Sequence, residues 1–184
     1  MRNAATVFAL VYAASVAMAA PGKAHRPVIM MHGVSATAQE MATIEEMIGV
    51  KYPGTLVTSL ALFEGNPDSW DHDLEEQIQG VIDAIHKTVG ANPRAYEDGY
   101  DLICKSQGGL ICRCVIEEMD DHNVSTFISL AGPQLGVFGQ ASFRFLPSWL
   151  ANGTADDMYR VAYSSLGQKL SVGNMWRDFH HLEG

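Results

Sequence analysis

This sequence predicts an α/β fold: a mostly parallel sheet with helices on both of its faces. Three observations carry that reading. Four short apolar runs, at 27–31, 55–60, 100–104 and 126–131, alternate with segments of helical periodicity. Strands that alternate with helices imply parallel pairing through right-handed crossovers. The 184 residues, 47% of them hydrophobic, can bury one good core and suggest one domain. Finally, the third run passes into Ser106-Gln107-Gly108-Gly109 and then a helical pattern from Leu110 to Met119, the order strand, sharp turn, helix.

The N-terminus stands apart from this pattern. Arg2 supplies a positive start, Ala4 to Val16 is an apolar run, and Ala17-Met18-Ala19 offers small residues where signal peptidase reads them. Residues 1–19 are expected to be a signal peptide, leaving 20–184 as the domain. The apolar run is shorter than the roughly 20 residues a membrane span needs. Pro27 to Met31 then forms the first strand and ends in His32-Gly33-Val34. Thr37 and Glu40 make a T-x-x-E capping box, and Met41, Ile44, Met47 and Ile48 follow at helical spacing. Tyr52-Pro53-Gly54 stops that helix, and Thr55 to Leu60 is the second strand. Ala61 to Trp70 reads as a loop. Leu74, Ile78, Val81, Ile82, Ile85 and Val89 then mark one face of a long helix closed by Gly90. After the fourth strand the character changes. Residues 133–165 are glycine-rich and apolar without a strand period, and read as a lid-like insertion over the sheet's rim. Gly33, Gln134, Val137 and Phe138 are the candidate substrate-binding residues.

The serine turn carries the chemistry. A nucleophile elbow holds its serine in a strained conformation, so that the hydroxyl stands above the sheet with a helix N-terminus beneath it. Ser106 is therefore the candidate nucleophile. The backbone N–H groups of Gln107, next to it, and of Val34, after the first strand, are the candidate oxyanion donors. The usual pattern is G-x-S-x-G. Gly108 fits, and Cys104 stands where the first glycine is expected. The three cysteines, Cys104, Cys112 and Cys114, leave one thiol over in an oxidising compartment. A Cys104–Cys112 bridge and three buried, inert thiols are both compatible with the spacing. Asn123-Val124-Ser125 and Asn152-Gly153-Thr154 are glycosylation sequons, Asn152 in the more loop-like setting. The net charge of −9 argues against nucleic acid and anionic membrane surfaces as partners. The histidines lack metal-ligand spacing, no Cys-x-x-Cys occurs, and neither metal nor cofactor is expected.

The run Leu102 to Asp121 with its Cys-Lys-Ser-Gln-Gly-Gly elbow resembles the palmitoyl-protein thioesterases. So do Asp120-Asp121-His122-Asn123-Val124, Phe127-Ile128-Ser129-Leu130, Pro133-Gln134-Leu135-Gly136 and Asn174-Met175-Trp176-Arg177-Asp178. The likeness runs from about Pro27 to the C-terminus and is to the second, lysosomal thioesterase subfamily in particular. It implies an α/β-hydrolase fold that cleaves fatty acyl thioesters in the lysosome, with the acyl carrier, an S-acylated protein or acyl-CoA, left open; the expected signal peptide by itself implies the secretory pathway, an organelle lumen or secretion. The likeness also implies Ser106 as nucleophile, Val34 and Gln107 as oxyanion donors, and a Cys104–Cys112 disulfide. A second cysteine pair of that subfamily reads here as Ala162 and Gly173.

In this fold a serine is followed by an acid and then a histidine base, each after a later strand. Here Asp178 and His181 are too close in sequence for separate strand ends, and His122 follows the elbow helix at its far end. The chain is accordingly expected to lack the C-terminal strands and the Asp/His part of the triad, and to have little activity as written. A secreted carboxylester lipase and a non-catalytic lipid-binding glycoprotein are the alternative readings.

Overall fold

The computed structural model describes residues 25–139 and 154–180. The expected signal peptide, the middle of the lid-like insertion, Asn152 and His181 lie outside the described residues. Four strands, β1 (Val28–Met31), β2 (Val57–Leu60), β3 (Tyr100–Lys105) and β4 (Val124–Leu130), form one sheet in the order β2-β1-β3-β4. Every pairing is parallel. The register sets Met31 beside Leu60 and Cys104, and Leu130 beside Lys105. The strands therefore end together, and His32, Ser106 and Gly132 share one rim. That is where open parallel sheets place their ligands.

Alternation along the central strands divides the core between two faces. Ile29, Met31, Leu102 and Cys104 pack with α3 (Leu74–Ala91) and α4 (Gln107–Glu118). Val28, Met30 and Ile103 pack with Met41, Ile44 and Ile48 of the segment that enters and forms α1 (Ala42–Lys51). α3 follows its predicted stripe, with Ile78, Val81, Ile82 and Ile85 buried, and Asp73 caps it by accepting from Glu76 N–H at 2.9 Å. Short α2 (Asp68–Asp71) interrupts what the sequence presents as a loop.

Two expectations for α1 need correction. Thr37 makes no side-chain cap; Ala38–Met41 is a 3₁₀ turn, and the Glu40 carboxylate is drawn to Gly33 and Lys105 instead. Met47 is 65% exposed and lies off the buried face. Among the described residues a capping box forms instead at Thr154 and Asp157, at the start of α5 (Ala155–Ala162). A 3₁₀ turn at Gly167–Lys169 leads to α6 (Ser171–Met175). Gln168 Nε2 donates to the carbonyls of Ala162 (2.7 Å) and Gly173 (3.3 Å), joining the two positions the subfamily fills with cysteine. No helix among the described residues is long and apolar enough to cross a membrane.

Candidate active site

Between the end of β3 and the start of α4, Ser106 has φ 52° and ψ −126°. An L-residue in this region costs on the order of 1–3 kcal/mol and persists only where its surroundings enforce it. Here they do. A Cβ on Gly108 would collide with the His32 carbonyl and come within 3.0 Å of Met31 Cγ. One on Gly109 would lie 2.6 Å from Ser129 Oγ. The first turn of α4 is thus wedged between the ends of β1 and β4, and only glycine permits the approach. The glycine expected two residues before the serine is replaced by Cys104, whose side chain is joined to Cys112 in a disulfide, with the Cα atoms 6.6 Å apart. The bulk of the side chain is absorbed by bonding it to the helix above. Cys114 remains a free thiol, and burial, with Glu117 and Glu118 nearby, pushes its pKa up.

Ser106 lies on a small cavity of about 30 Å³ with Val34, Gln107, Pro133, Val137, Val172 and Met175. That is room for one or two water-sized atoms. Gln107 begins α4, so its N–H has no intrahelical acceptor. Among the described residues the N–H groups of Val34 and Gln107 have no hydrogen-bond acceptor. Ser106 thus shares its cavity with the two residues whose N–H groups lack acceptors among the described residues, and Gln107 stands at the positive end of the α4 dipole.

The flanks of this arrangement are pinned. Glu40 accepts from Gly33 N–H (3.2 Å) through Oε2 and from Lys105 Nζ (2.7 Å) through Oε1. Burial alone would raise the Glu40 pKa, but these two hydrogen bonds outweigh it and hold the carboxyl below its ordinary value. His32 is buried with Nδ1 2.9 Å from the Gly33 carbonyl and Nε2 2.9 Å from the Leu62 carbonyl. It supports the loop and has no place on the Ser106 cavity.

The other sequence candidates divide. Val137 lines the cavity, and its backbone bonds to Met175 and Arg177. Gly33 spends its N–H on Glu40; a Cβ there would come within 2.9 Å of Ser106 Cβ, so its contribution is closeness of approach. Gln134 donates to the Gly109 carbonyl (3.0 Å) and Ser129 Oγ (2.8 Å), while its buried Oε1 has no partner among the described residues. It borders a neighbouring groove of about 730 Å³ that shares Met175 with the Ser106 cavity. Phe138 belongs to a separate cluster with Trp176, Phe179 and His180. Asn123 is exposed, and its amide nitrogen donates to the carbonyls of Tyr96 (3.5 Å) and Glu97 (3.3 Å). Among the described residues no histidine or carboxylate hydrogen-bonds Ser106. His122 accepts from Val124 N–H at the opposite end of the sheet, and Asp178 accepts from His180 N–H.

Sequence reasoning missed Ser69, Gln77 and Ser171, buried polar residues grouped around the Gln107 side chain. A signal existed for one of them. Gln77 falls between Leu74 and Ile78 on the apolar face of α3, where an unpaired amide would be costly.

The palmitoyl protein thioesterase family model matches residues 27–184. Human lysosomal thioesterase PPT2 is 40% identical over 164 residues, covering 88% of this chain and 51% of that protein. The Drosophila melanogaster lysosomal thioesterase PPT2 homolog is 35% identical over 158 residues, covering 84% and 51%. The chain spans about half the length of the curated relatives it matches. Among solved structures, the mature lipase BlEst2 of Bacillus licheniformis superposes with a TM-score of 0.55 at 20% identity, over 85% of this chain and 58% of that one, a likeness of α/β-hydrolase fold.

Proposed function

This chain belongs to the palmitoyl protein thioesterase family, and from that premise we propose that its site serves serine-dependent hydrolysis of fatty acyl thioesters in the lysosomal lumen. The Ser106 hydroxyl attacks the thioester carbonyl. The tetrahedral oxyanion forms against the Val34 and Gln107 amides, the thiolate departs, and water later releases the acid from acyl-Ser106. The observation that supports this reading is the shared cavity: a serine at positive φ beside two N–H groups without acceptors. Met175 leads from this cavity to the groove lined by Leu110, Tyr159, Tyr163 and Trp176, which suits the acyl chain. A thiol leaving group, with a pKa of about 8.5, departs with little proton donation. The serine still needs a base to become a good nucleophile.

Among the described residues no histidine or carboxylate hydrogen-bonds Ser106, which supports a division of labour in which the elbow accepts the acyl group and other groups remove the proton. Without the base, binding and the oxyanion hole leave about 10³–10⁴-fold acceleration over water. The test is thiol release from palmitoyl-CoA by the purified chain, with and without free imidazole as an added base, alongside intact-mass detection of the acyl adduct. Slow release is expected, with acyl-Ser106 accumulating faster in imidazole and absent from Ser106→Ala. Equal adduct formation by Ser106→Ala would overturn the nucleophile. Fast release without imidazole would overturn the assignment of the base. A palmitoyl oxyester tested in parallel is expected to react more slowly.

A further inference from the structure

We infer that Ser69 is a positioning residue that fixes the two oxyanion amides relative to each other, an inference that rests on the reading of Ser106 given above. Ser69 sits in α2 and is buried, 2% exposed, yet it belongs to neither the β1 loop nor the elbow. Its hydroxyl accepts from Ser35 N–H (2.7 Å) and donates to the Gly65 carbonyl (2.7 Å). Its carbonyl accepts from Gln77 Nε2 (3.1 Å), Gln107 Nε2 (3.0 Å) and Ser171 Oγ (2.9 Å). One residue thus holds the peptide that follows Val34 and the side chain of Gln107. Those are the two residues that line the cavity with Ser106 and whose amides lack an acceptor among the described residues.

The geometry of the Val34 side explains why such a hold is needed. Ser35 has φ 59°, a conformation that a serine does not keep unaided. Its N–H is taken by Ser69 while the Val34 N–H has no acceptor among the described residues, so successive amides of this loop point to different partners. On the other side of Val34 the Gly33 carbonyl receives His32 Nδ1 (2.9 Å) and Ala36 N–H (3.3 Å). Both peptide planes around Val34 are therefore anchored, and the orientation of its N–H is set.

The Gln107 side is a closed polar knot. Gln107 Nε2 also donates to Gln77 Oε1 (2.8 Å), Gln77 Nε2 also reaches the His72 carbonyl (2.8 Å), and the one Ser171 proton is shared between the Ser69 carbonyl and Gln107 Oε1, the latter at 3.2 Å. Gln77, Gln107 and Ser171 are all buried. A satisfied network of this kind is rigid because each broken bond strands a buried polar group. The network touches the cavity only through Gln107, and Ser69 is the member that extends it to the β1 loop.

The experiment measures imidazole-dependent acylation of Ser106 by palmitoyl-CoA, as maximal rate and half-saturating concentration, in the wild-type chain and in Ser69→Ala. Loss of an entire oxyanion donor costs about 10²–10³-fold, and a displaced donor costs less. Ser69→Ala is expected to lower the maximal rate about 10- to 100-fold while half-saturation stays within about twofold. Ser35 amide hydrogen exchange is expected to accelerate. Ser69→Thr, which keeps the hydroxyl, is expected to recover most of the rate. Gln77→Leu, which places an apolar side chain on an apolar helix face, is the second variant and is expected to lower the rate about 3- to 10-fold. A wild-type maximal rate in Ser69→Ala, or a loss seen only in half-saturation, overturns the inference and leaves the nucleophile assignment standing. A wild-type chain that never acylates Ser106 overturns both.

Discussion

Replacing Gly108 with alanine tests the elbow's packing against a control inside the same molecule. Gly108 is helical, so alanine there gains about 1 kcal/mol of helix propensity. Against that gain, the new Cβ would collide with the His32 carbonyl and come within 3.0 Å of both Met31 Cγ and the Met31 carbonyl. Two of these three neighbours are backbone at the end of a central strand and have little freedom to give. Overpacking of this kind costs about 1–3 kcal/mol, and a backbone collision belongs at the upper end. Gly108→Ala is therefore expected to destabilise by about 2 kcal/mol, the difference between the overpacking cost and the propensity gain. Gly49 in α1 is the control, since a Cβ there meets nothing within 4 Å. Gly49→Ala should stabilise by about 1 kcal/mol. At about 2–4 °C per kcal/mol for a domain of this size, the two variants should melt about 6–12 °C apart, on either side of wild type. Urea unfolding midpoints and thermal melts read this directly. Wild-type stability in Gly108→Ala would refute the claim that the start of α4 is wedged against β1. The same substitution should slow acylation of Ser106, because it pushes Gln107 away from Val34.

Three further outcomes are expected. Ser106→Gly should abolish acylation yet stabilise the fold by about 1 kcal/mol, since glycine adopts φ 52° without the cost that serine bears; a less stable variant in a urea titration would count against backbone strain at the elbow. Reduction of Cys104–Cys112, which closes a short loop, should cost about 2–3 kcal/mol, and an unchanged melting temperature in reductant would contradict this. Glu40 has a folded pKa below its ordinary 4.5, so the unfolded chain takes up its proton first. The stability it contributes is complete above that ordinary value and is lost as pH falls through the lowered one. Glu40→Gln should flatten the acid limb of the stability profile below about pH 4.5 and cost about 0.2–1 kcal/mol at pH 6, as befits a surface pair; parallel acid limbs in the two proteins would refute the assignment.

The frame of this molecule is readable in its sequence because it rests on local patterns. Apolar runs mark the four strands, the α3 stripe marks its buried face, and Gly108 and Gly109 after Ser106 mark the elbow. The exceptions share a physical cause, in that each depends on partners distant along the chain. Thr37 and Glu40 have capping-box spacing, but Glu40 finds Lys105, 65 positions away, and the local box does not form. Ser69 reads as one more polar loop residue, and its importance arises only when Ser35, Gln107 and Ser171 converge on it. Gln134 and Phe138 follow the same logic from the other direction. Their place near the rim is legible, but one is spent on Gly109 and Ser129 and the other on a neighbouring aromatic cluster.

The cross-strut of Gln168 between Ala162 and Gly173 gives this architecture two fasteners of unequal permanence. Sulfur secures the floor, where Cys104 and Cys112 clamp the bend beneath Ser106. Hydrogen bonds alone tie the roof, where α6 contributes Val172 and Met175 to the chamber's lining and is held by Gln168, by Val137 and by Ser171 on the Ser69 carbonyl. Amide contacts break and re-form on thermal timescales while a covalent cross-link does not. The bend that carries the nucleophile is thus fastened by a covalent bond, and the wall facing it by contacts that reversible fluctuations can open and close.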